Sequence, residues 1–248
     1  MNPDSLLLAI PVFNEERHVE DVIREARRYC RRVLVIDDGS TDATPRILDR
    51  LGGLFRIRHA ENRGYGKSLA DAFAFALREG YDWLITMDCD RQHEPARIPR
   101  FCEAIEADDA DIISGTRYPA GFDADTDAPP DRRRINREIT ALLNRRLGLR
   151  LTDAFCGFKA YRVDALRCLR LTVPGYAMPM QFWVQAARAG LRIREIPVRL
   201  LYPDPTRHFG GFLDDPAARR RHYLEVFEAE LAAGGVPARA RTNEAPCR

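Results

Sequence analysis

Asp88 and Asp90 flank Cys89 directly after an apolar run, Trp83-Leu84-Ile85-Thr86-Met87. In an extended segment residues two apart point the same way, so both carboxylates share one face and Cys89 points to the other. Like charges at that range repel. A hard divalent cation relieves the repulsion, and Mg2+ or Mn2+ bridges carboxylates to a ligand's phosphates. Gln92, two residues further on, adds an oxygen ligand. The plainer reading of the same residues is a turn, or a cap ahead of a helix at Pro95. Two other acidic stretches favour the metal. Pro11 to Glu15 follows a first apolar run and Asp37 to Ser40 follows a second. In open parallel sheets ligands bind outside the carboxyl ends of the strands, so these ends imply one crevice lined with carboxylates.

The elements that must position these residues alternate along the chain. Strands are predicted at 6–10, 33–36, 55–57 and 83–87, with a fifth beginning at Ile112. They are short continuous apolar runs, as expected of strands buried on both faces. Helices are predicted at about 16–30, from Thr44-Pro45, at 67–78 and at 95–107. Helix-spaced Val19, Val22, Ile23 and Ala26 mark the first, and a first-turn proline marks the second. This β-α-β alternation predicts an α/β fold with a mostly parallel sheet and helices on both faces. The second half is less regular. Residues 119–132 read as a loop and 133–147 as a basic amphipathic helix. A Cys-Gly turn falls between aromatics in 155–162. Then come a helix at 180–189, a strand at 193–201 and a helix at 215–233.

Composition narrows the function classes. The 248 residues carry a formal net charge of +2, which argues against a general nucleic-acid binder. Six cysteines form no C-x-x-C pair, so neither a disulfide framework nor structural zinc is expected, and a reducing cytosol is the natural setting. No run of about twenty apolar residues predicts a transmembrane helix. One domain spanning 1–233 is expected, with a disordered tail at 234–248 rich in Ala, Gly, Pro and Arg.

Ile10-Pro11-Val12-Phe13-Asn14-Glu15, the stretch Val35 to Asp42 and Asn62-Arg63-Gly64-Tyr65-Gly66-Lys67 resemble the three opening signatures of family 2 glycosyltransferases. Asp88-Cys89-Asp90-Arg91-Gln92-His93 resembles the metal motif of the dolichyl-phosphate mannose synthase branch, a polyprenyl-phosphate glycosyltransferase group. Ser114-Gly115-Thr116-Arg117-Tyr118 and Asp153 to Lys159 resemble the motifs that follow, with Cys156 where that branch has Ser. The resemblance implies a GT-A, Rossmann-like fold. Residues 5–118 would be its nucleotide-sugar-binding half and 119–233 its acceptor-side half. It implies metal-dependent, inverting transfer of a single sugar from a GDP- or UDP-sugar.

The resemblance also implies roles. Pro11, Phe13 and Glu15 would contact the nucleoside, and Asp38 the base or ribose. Asp88, Asp90 and Gln92 would hold Mg2+ or Mn2+ and the diphosphate, with Cys89 inside that donor-binding stretch. Arg117 would face the phosphates of donor or acceptor, and Asp153 is the candidate general base if a hydroxyl acceptor needs one. Each has a structural alternative: a helix-dipole charge for Glu15, a turn residue for Asp38, a salt bridge for Arg117, and support of the Cys156-Gly157 turn for Asp153. The Gly64 to Lys67 loop lacks P-loop spacing; it either brings Lys67 close to the donor or only opens a helix. Arg207 or His208 could close on the diphosphate, with Gly210-Gly211 as a hinge, or the segment is a surface loop.

The resemblance implies a polyprenyl or dolichyl phosphate as acceptor, with a soluble small molecule or glycan as the alternative, and the oligomeric state is not indicated. Arg132, Arg133, Arg134, Arg137, Arg145 and Arg146 interleave with Ile135, Ile139, Leu142 and Leu143. That pattern suits an interfacial helix in peripheral contact with anionic lipid, or a solvated basic face over an ordinary core face. The Gln-x-x-Arg-Trp mark of processive synthases is absent. A nucleotidyltransferase would want a basic glycine-rich loop after the first strand, where Asn14-Glu15-Glu16 stands instead. A sugar-nucleotide-binding protein without turnover has no reason to keep Asp88, Asp90 and Gln92 together.

Overall fold

The computed structural model describes residues 2–119, 129–199, 201 and 210–234. Seven strands form one sheet: β1 Leu6–Val12, β2 Val33–Asp37, β3 Phe55–Arg58, β4 Trp83–Thr86, β5 Ile112–Thr116, β6 Lys159–Arg162 and β7 Ile193–Pro197. Their order is β3-β2-β1-β4-β6-β5-β7. The helices are α1 Val19–Ala26, α2 Thr44–Leu51, α3 Tyr65–Glu79, α4 Ile98–Glu106, α5 Pro130–Leu147, α6 Met178–Arg188 and α7 Pro216–Ala232.

Alternation along the strands divides the core into two apolar layers. Leu7, Ala9, Leu34, Ile36 and Leu84 join the layer under α3, α5, α6 and α7. Leu6, Leu8, Ile10, Val33, Val35 and Ile85 join the layer under α1, α2 and α4. The continuous apolar runs are thus explained, because successive side chains enter opposite layers. Each fully buried Leu or Ile here contributes about 1.5–3 kcal/mol.

The sheet departs from parallel at one place. β6 runs antiparallel to both neighbours, pairing Thr86 with Lys159 on β4 and Ser114 with Lys159 on β5. Its sequence, Lys-Ala-Tyr-Arg, has charged ends and a single small apolar residue, so no strand is legible there. Because β6 is reversed, the segment leading into it lies at the same edge as the carboxyl ends of β1, β2 and β4. Other boundaries move modestly. The first helix is shorter than predicted: residues 16–18 form a turn ahead of Val19, and residues 27–29 a turn after Ala26. Pro95–Arg97 is a 3-10 turn ahead of α4, and Pro130 opens α5 earlier than its arginines suggest. β7 ends at Pro197, short of 201.

The apolar stripe of the basic helix is a core face. Ile135, Ile139 and Leu143 are buried in the apolar layer that α5 shares with α6 and α7, so they are not available to insert into lipid. The expected loop at 119–132 and tail at 234–248 fall largely outside the described residues, as does Arg207. No described helix is long and apolar enough to cross a membrane.

Candidate active site

A cleft of about 770 Å3 opens at the carboxyl edge of the sheet. Parallel register aligns its floor: Val12 pairs with Asp37, and Ala9 with Thr86. Pro11, Phe13, Glu15, Asp38, Asp88, Cys89, Asp90, Gln92 and Arg117 all line it. Lys67 and Asp153 do not.

The loops after β1 and β2 are tied together. Asn14 adopts a left-handed φ of 54°, which Asn tolerates better than most residues. Its Oδ1 accepts from the Thr41 amide at 2.8 Å, and its own amide donates to Ser40 Oγ at 3.0 Å. The Glu15 amide donates to Thr44 Oγ1 at 2.9 Å, and Glu16 accepts from the Ala43 amide at 2.8 Å. Asp38 is 4% exposed, and its oxygens accept from the Arg63 amide (2.9 Å), the Gly64 amide (2.8 Å) and the His59 ring (2.6 Å). Asp38 therefore holds the 62–64 loop onto the end of β2 as well as facing the cleft. Gly64 is required there, because at φ 96° a Cβ would lie 2.5 Å from the Pro174 carbonyl oxygen.

Lys67 belongs to the other side of that arrangement. Its ammonium is ion-paired with Asp71, one helical turn along α3. The donor contact expected of Lys67 does not fit this geometry, since its charge is committed to Asp71 outside the cleft.

Asp88 sits at the centre of the floor. Its Oδ1 accepts from Tyr65 Oη at 2.9 Å, and its Oδ2 is 3.6 Å from His93 Nε2. A Cβ at Gly157 would lie 2.2 Å from Asp88 Oδ2, so a glycine is needed for the carboxylate to occupy this position. Burial raises the carboxyl's pKa, but His93, Tyr65 and Lys159 outweigh it and hold it below the ordinary value. His93 is buried with Nδ1 lacking a partner. Asp90 Oδ1 accepts from the Gln92 amide at 3.0 Å, closing a tight acidic turn. Cys89 is 2% exposed and packs its thiol side into the apolar layer below.

The donor set at this turn is hard oxygen, which fits Mg2+ or Mn2+ rather than a soft ion. Among the described residues no group of three or more His, Cys, Asp or Glu encloses a metal position. Asp88, Asp90 and Gln92 would leave much of the shell to phosphates and water, as Mg2+ sites commonly do.

Arginines line the cleft as well, two of them paired with carboxylates. Arg117, Arg132 and Arg219 all line the cleft. Arg117 is clamped by Asp153 through Nε at 2.6 Å, Nη2 at 2.9 Å and its amide at 3.1 Å. Asn136 donates to the same carboxylate at 2.8 Å. Asp153 is wholly buried; burial alone would raise its pKa, but Arg117 and Asn136 bring it down to about 2. The general-base role expected for Asp153 does not fit: its lone pairs are occupied, it has no access to the cleft, and its basicity is low. It positions Arg117 instead. Arg219 Nη1 donates to the Leu213 carbonyl at 2.9 Å and Nη2 pairs with Asp131 at 2.5 Å. Lys159, 5% exposed, donates to the Cys156 carbonyl, and burial lowers its pKa.

Sequence reasoning missed several cleft residues. Tyr65 lies inside a quoted motif, yet nothing marked its hydroxyl as a partner of Asp88. Tyr176 stacks on Tyr65 with centroids 5.6 Å apart, and Tyr223 packs on Phe155 at 4.9 Å. Arg219 sits in an arginine run on α7 whose members are indistinguishable by sequence.

The sequence profile of "Glycosyl transferase family 2" matches residues 8–170. The chain belongs to that family. Among similar proteins is the undecaprenyl-phosphate mannosyltransferase of Micrococcus luteus, 32% identical over 202 residues, covering 78% of this chain and 82% of the relative. The polyprenol monophosphomannose synthase of Mycolicibacterium smegmatis is 28% identical over 202 residues, covering 77% and 76%. In structure, the chain is similar to glucosyl-3-phosphoglycerate synthase from Mycobacterium tuberculosis in complex with UDP. The TM-score is 0.71 at 18% identity, covering 92% of this chain and 80% of that one. The fold of this family 2 glycosyltransferase is therefore GT-A.

Proposed function

We propose that this glycosyltransferase moves one sugar, with inversion at the anomeric carbon, from a GDP- or UDP-sugar to a polyprenyl phosphate. The observation that carries the reading is a single cleft lined both by carboxylates at strand ends and by Arg117, Arg132 and Arg219. The carboxylates suit a metal-bridged diphosphate, and the arginines suit an acceptor phosphate. The names of the Micrococcus and Mycolicibacterium relatives support a polyprenyl acceptor.

In this reading Pro11, Phe13 and Glu15 border the nucleoside, and Asp38 fixes the wall beside it. Asp88, Asp90 and Gln92 would hold Mg2+ or Mn2+, which neutralises charge building on the departing nucleoside diphosphate. Arg117, immobilised by Asp153, presents a fixed positive charge to the incoming phosphate. A phosphate acceptor is already ionised and needs no base, which agrees with Asp153 being withdrawn from the cleft. A soluble acceptor is the second reading, and the phosphoglycerate-using structural neighbour is the observation in its favour.

Lipid contact, in the same reading, is peripheral and electrostatic. Arg133, Arg134 and Arg137 on the first turns of α5 flank the cleft-lining Arg132, and Phe212 is 62% exposed beside cleft-lining Gly210. Apart from Arg117, residues 5–118 serve the donor and 119–233 the acceptor.

The test is transfer itself. Radiolabelled GDP-mannose, UDP-glucose and UDP-N-acetylglucosamine are each incubated with Mn2+ and undecaprenyl phosphate, and label is counted in the organic phase. Label appearing there with one donor, and lost with EDTA, is the expected result. Label transferred only to 3-phosphoglycerate would replace the lipid reading with the soluble one.

A further inference from the structure

His59 lies beyond the cleft lining and is 7% exposed. Both of its ring nitrogens face carboxylates: Nδ1 is 2.6 Å from Asp38 Oδ1, and Nε2 is 2.9 Å from Asp71 Oδ2. A carboxylate only accepts, and a neutral imidazole donates from one nitrogen alone. The other Asp71 oxygen is taken by Lys67. A chain of polar contacts, Lys67–Asp71–His59–Asp38, thus runs from α3 to the cleft wall, and no role assigned above uses its middle.

We propose that His59 is a positioning residue for donor binding, acting through Asp38. The proposal rests on the cleft being the nucleotide-sugar site. Asp38 has three donors, and two are amides of the very loop it holds, Arg63 and Gly64. Those amides move with the loop. His59 supplies the remaining donor, from the segment just after β3, whose His59 amide is itself fixed to the Asp37 carbonyl at 2.9 Å. The ring is the anchor that ties the carboxylate to the sheet, and through it Asn62 and Gly64 keep their places on the cleft wall. Lys67 contributes at one remove, by orienting Asp71. The reacting atoms lie towards Asp88 and Asp90, so the effect of His59 falls on donor affinity rather than on turnover.

Isosteric amides separate this role from simple filling of space. In His59→Asn the side-chain nitrogen can stand where Nδ1 stands and donate to Asp38. In His59→Gln it can stand at Nε2 and donate only to Asp71. The probes are UDP and GDP with Mn2+, titrated calorimetrically into the full chain, with donor KM and kcat measured alongside. Loss of one charge-assisted hydrogen bond corresponds to about tenfold in affinity. The expected result is that His59→Gln and His59→Ala weaken nucleotide binding by about tenfold and raise donor KM alike, with kcat within about threefold. His59→Asn should stay within about threefold of wild type. Equal losses in Asn and Gln variants of matched melting temperature, or unchanged binding by His59→Ala, overturn the proposal. Wild type that binds neither nucleotide overturns the donor reading of the cleft, and the proposal with it.

Discussion

Gly157 and Asp88 meet so closely that the space for a methyl group at residue 157 is filled by the Asp88 carboxylate, 2.2 Å from the position of a Cβ. The carboxylate proposed to hold the metal is therefore shaped by a glycine far along the chain. Gly157→Ala must push Asp88 aside or shift the β6 entry. A displacement of about 1 Å at a reacting site costs on the order of a hundredfold in rate, and this variant should show such a loss in transfer assays while remaining folded by circular dichroism. Wild-type turnover would mean that Asp88 need not stay where it is.

Asp90→Ala should abolish the Mn2+-dependent part of nucleotide binding. A ligand that binds only the folded state raises the melting temperature, by about 2.7 kcal/mol of stabilisation at a hundred times Kd. Thermal shifts with UDP- and GDP-sugars, with and without Mn2+, should show a metal-dependent increment in wild type and none in the variant. An increment of the same size in both would remove Asp90 from the metal site.

Asp153 predicts an acid limb of stability. Its folded pKa is about 2, below the ordinary 3.8, because Arg117 and Asn136 favour the charged form over the cost of burial. The stabilisation is thus complete above the ordinary carboxylate range and is lost as pH falls towards the folded value, about 2 kcal/mol in all. Urea midpoints measured from about pH 5 downward should fall more steeply for wild type than for Asp153→Asn. Parallel curves would show that the pair carries no such linkage.

Arg117→Ala should be harsher than Asp153→Asn on stability, because it strands a wholly buried carboxylate. Removing one partner of a buried ion pair costs about 3–5 kcal/mol. Chemical denaturation gives the figure directly, and a loss no larger than that of an exposed pair would contradict the clamp.

Binding to anionic vesicles should be salt-sensitive. Sedimentation with phosphatidylglycerol liposomes should pellet the protein at low salt and release it as the salt rises, since exposed charges are screened. Replacing Arg133, Arg134 and Arg137 by Gln should reduce pelleting, and Phe212→Ser should reduce what survives at high salt. No pelleting at low salt would end the membrane proposal.

Much of this was legible before any coordinates. Continuous apolar runs announced the parallel strands, and the acidic residues after them announced the cleft. What escaped were features set by distant pairing. β6 carries its identity in its neighbours, not in Lys-Ala-Tyr-Arg. The Arg117–Asp153 clamp joins residues 36 apart in the chain, and each alone reads either as a group aimed at substrate or as a structural charge, with nothing in the sequence to pair them. Lys67 was drawn towards phosphate by its glycines, whereas an aspartate one turn away captures it. The stripe on α5 read equally well as lipid-facing or core-facing, because periodicity reports that a helix has an apolar side but not what covers it.

The reversed strand also constrains the order of events during synthesis. β4 emerges early, but its partner β6 follows about seventy residues later, and the Thr86 hydroxyl waits for the Gly157 carbonyl across 71 positions. Until then β4 is an unprotected sheet edge, open to pairing with another chain. Contacts of such long range form slowly. A nascent chain that has completed every donor-side motif is thus neither a sealed sheet nor a finished cleft floor, and a premature stop before residue 162 should yield aggregates rather than a half-enzyme.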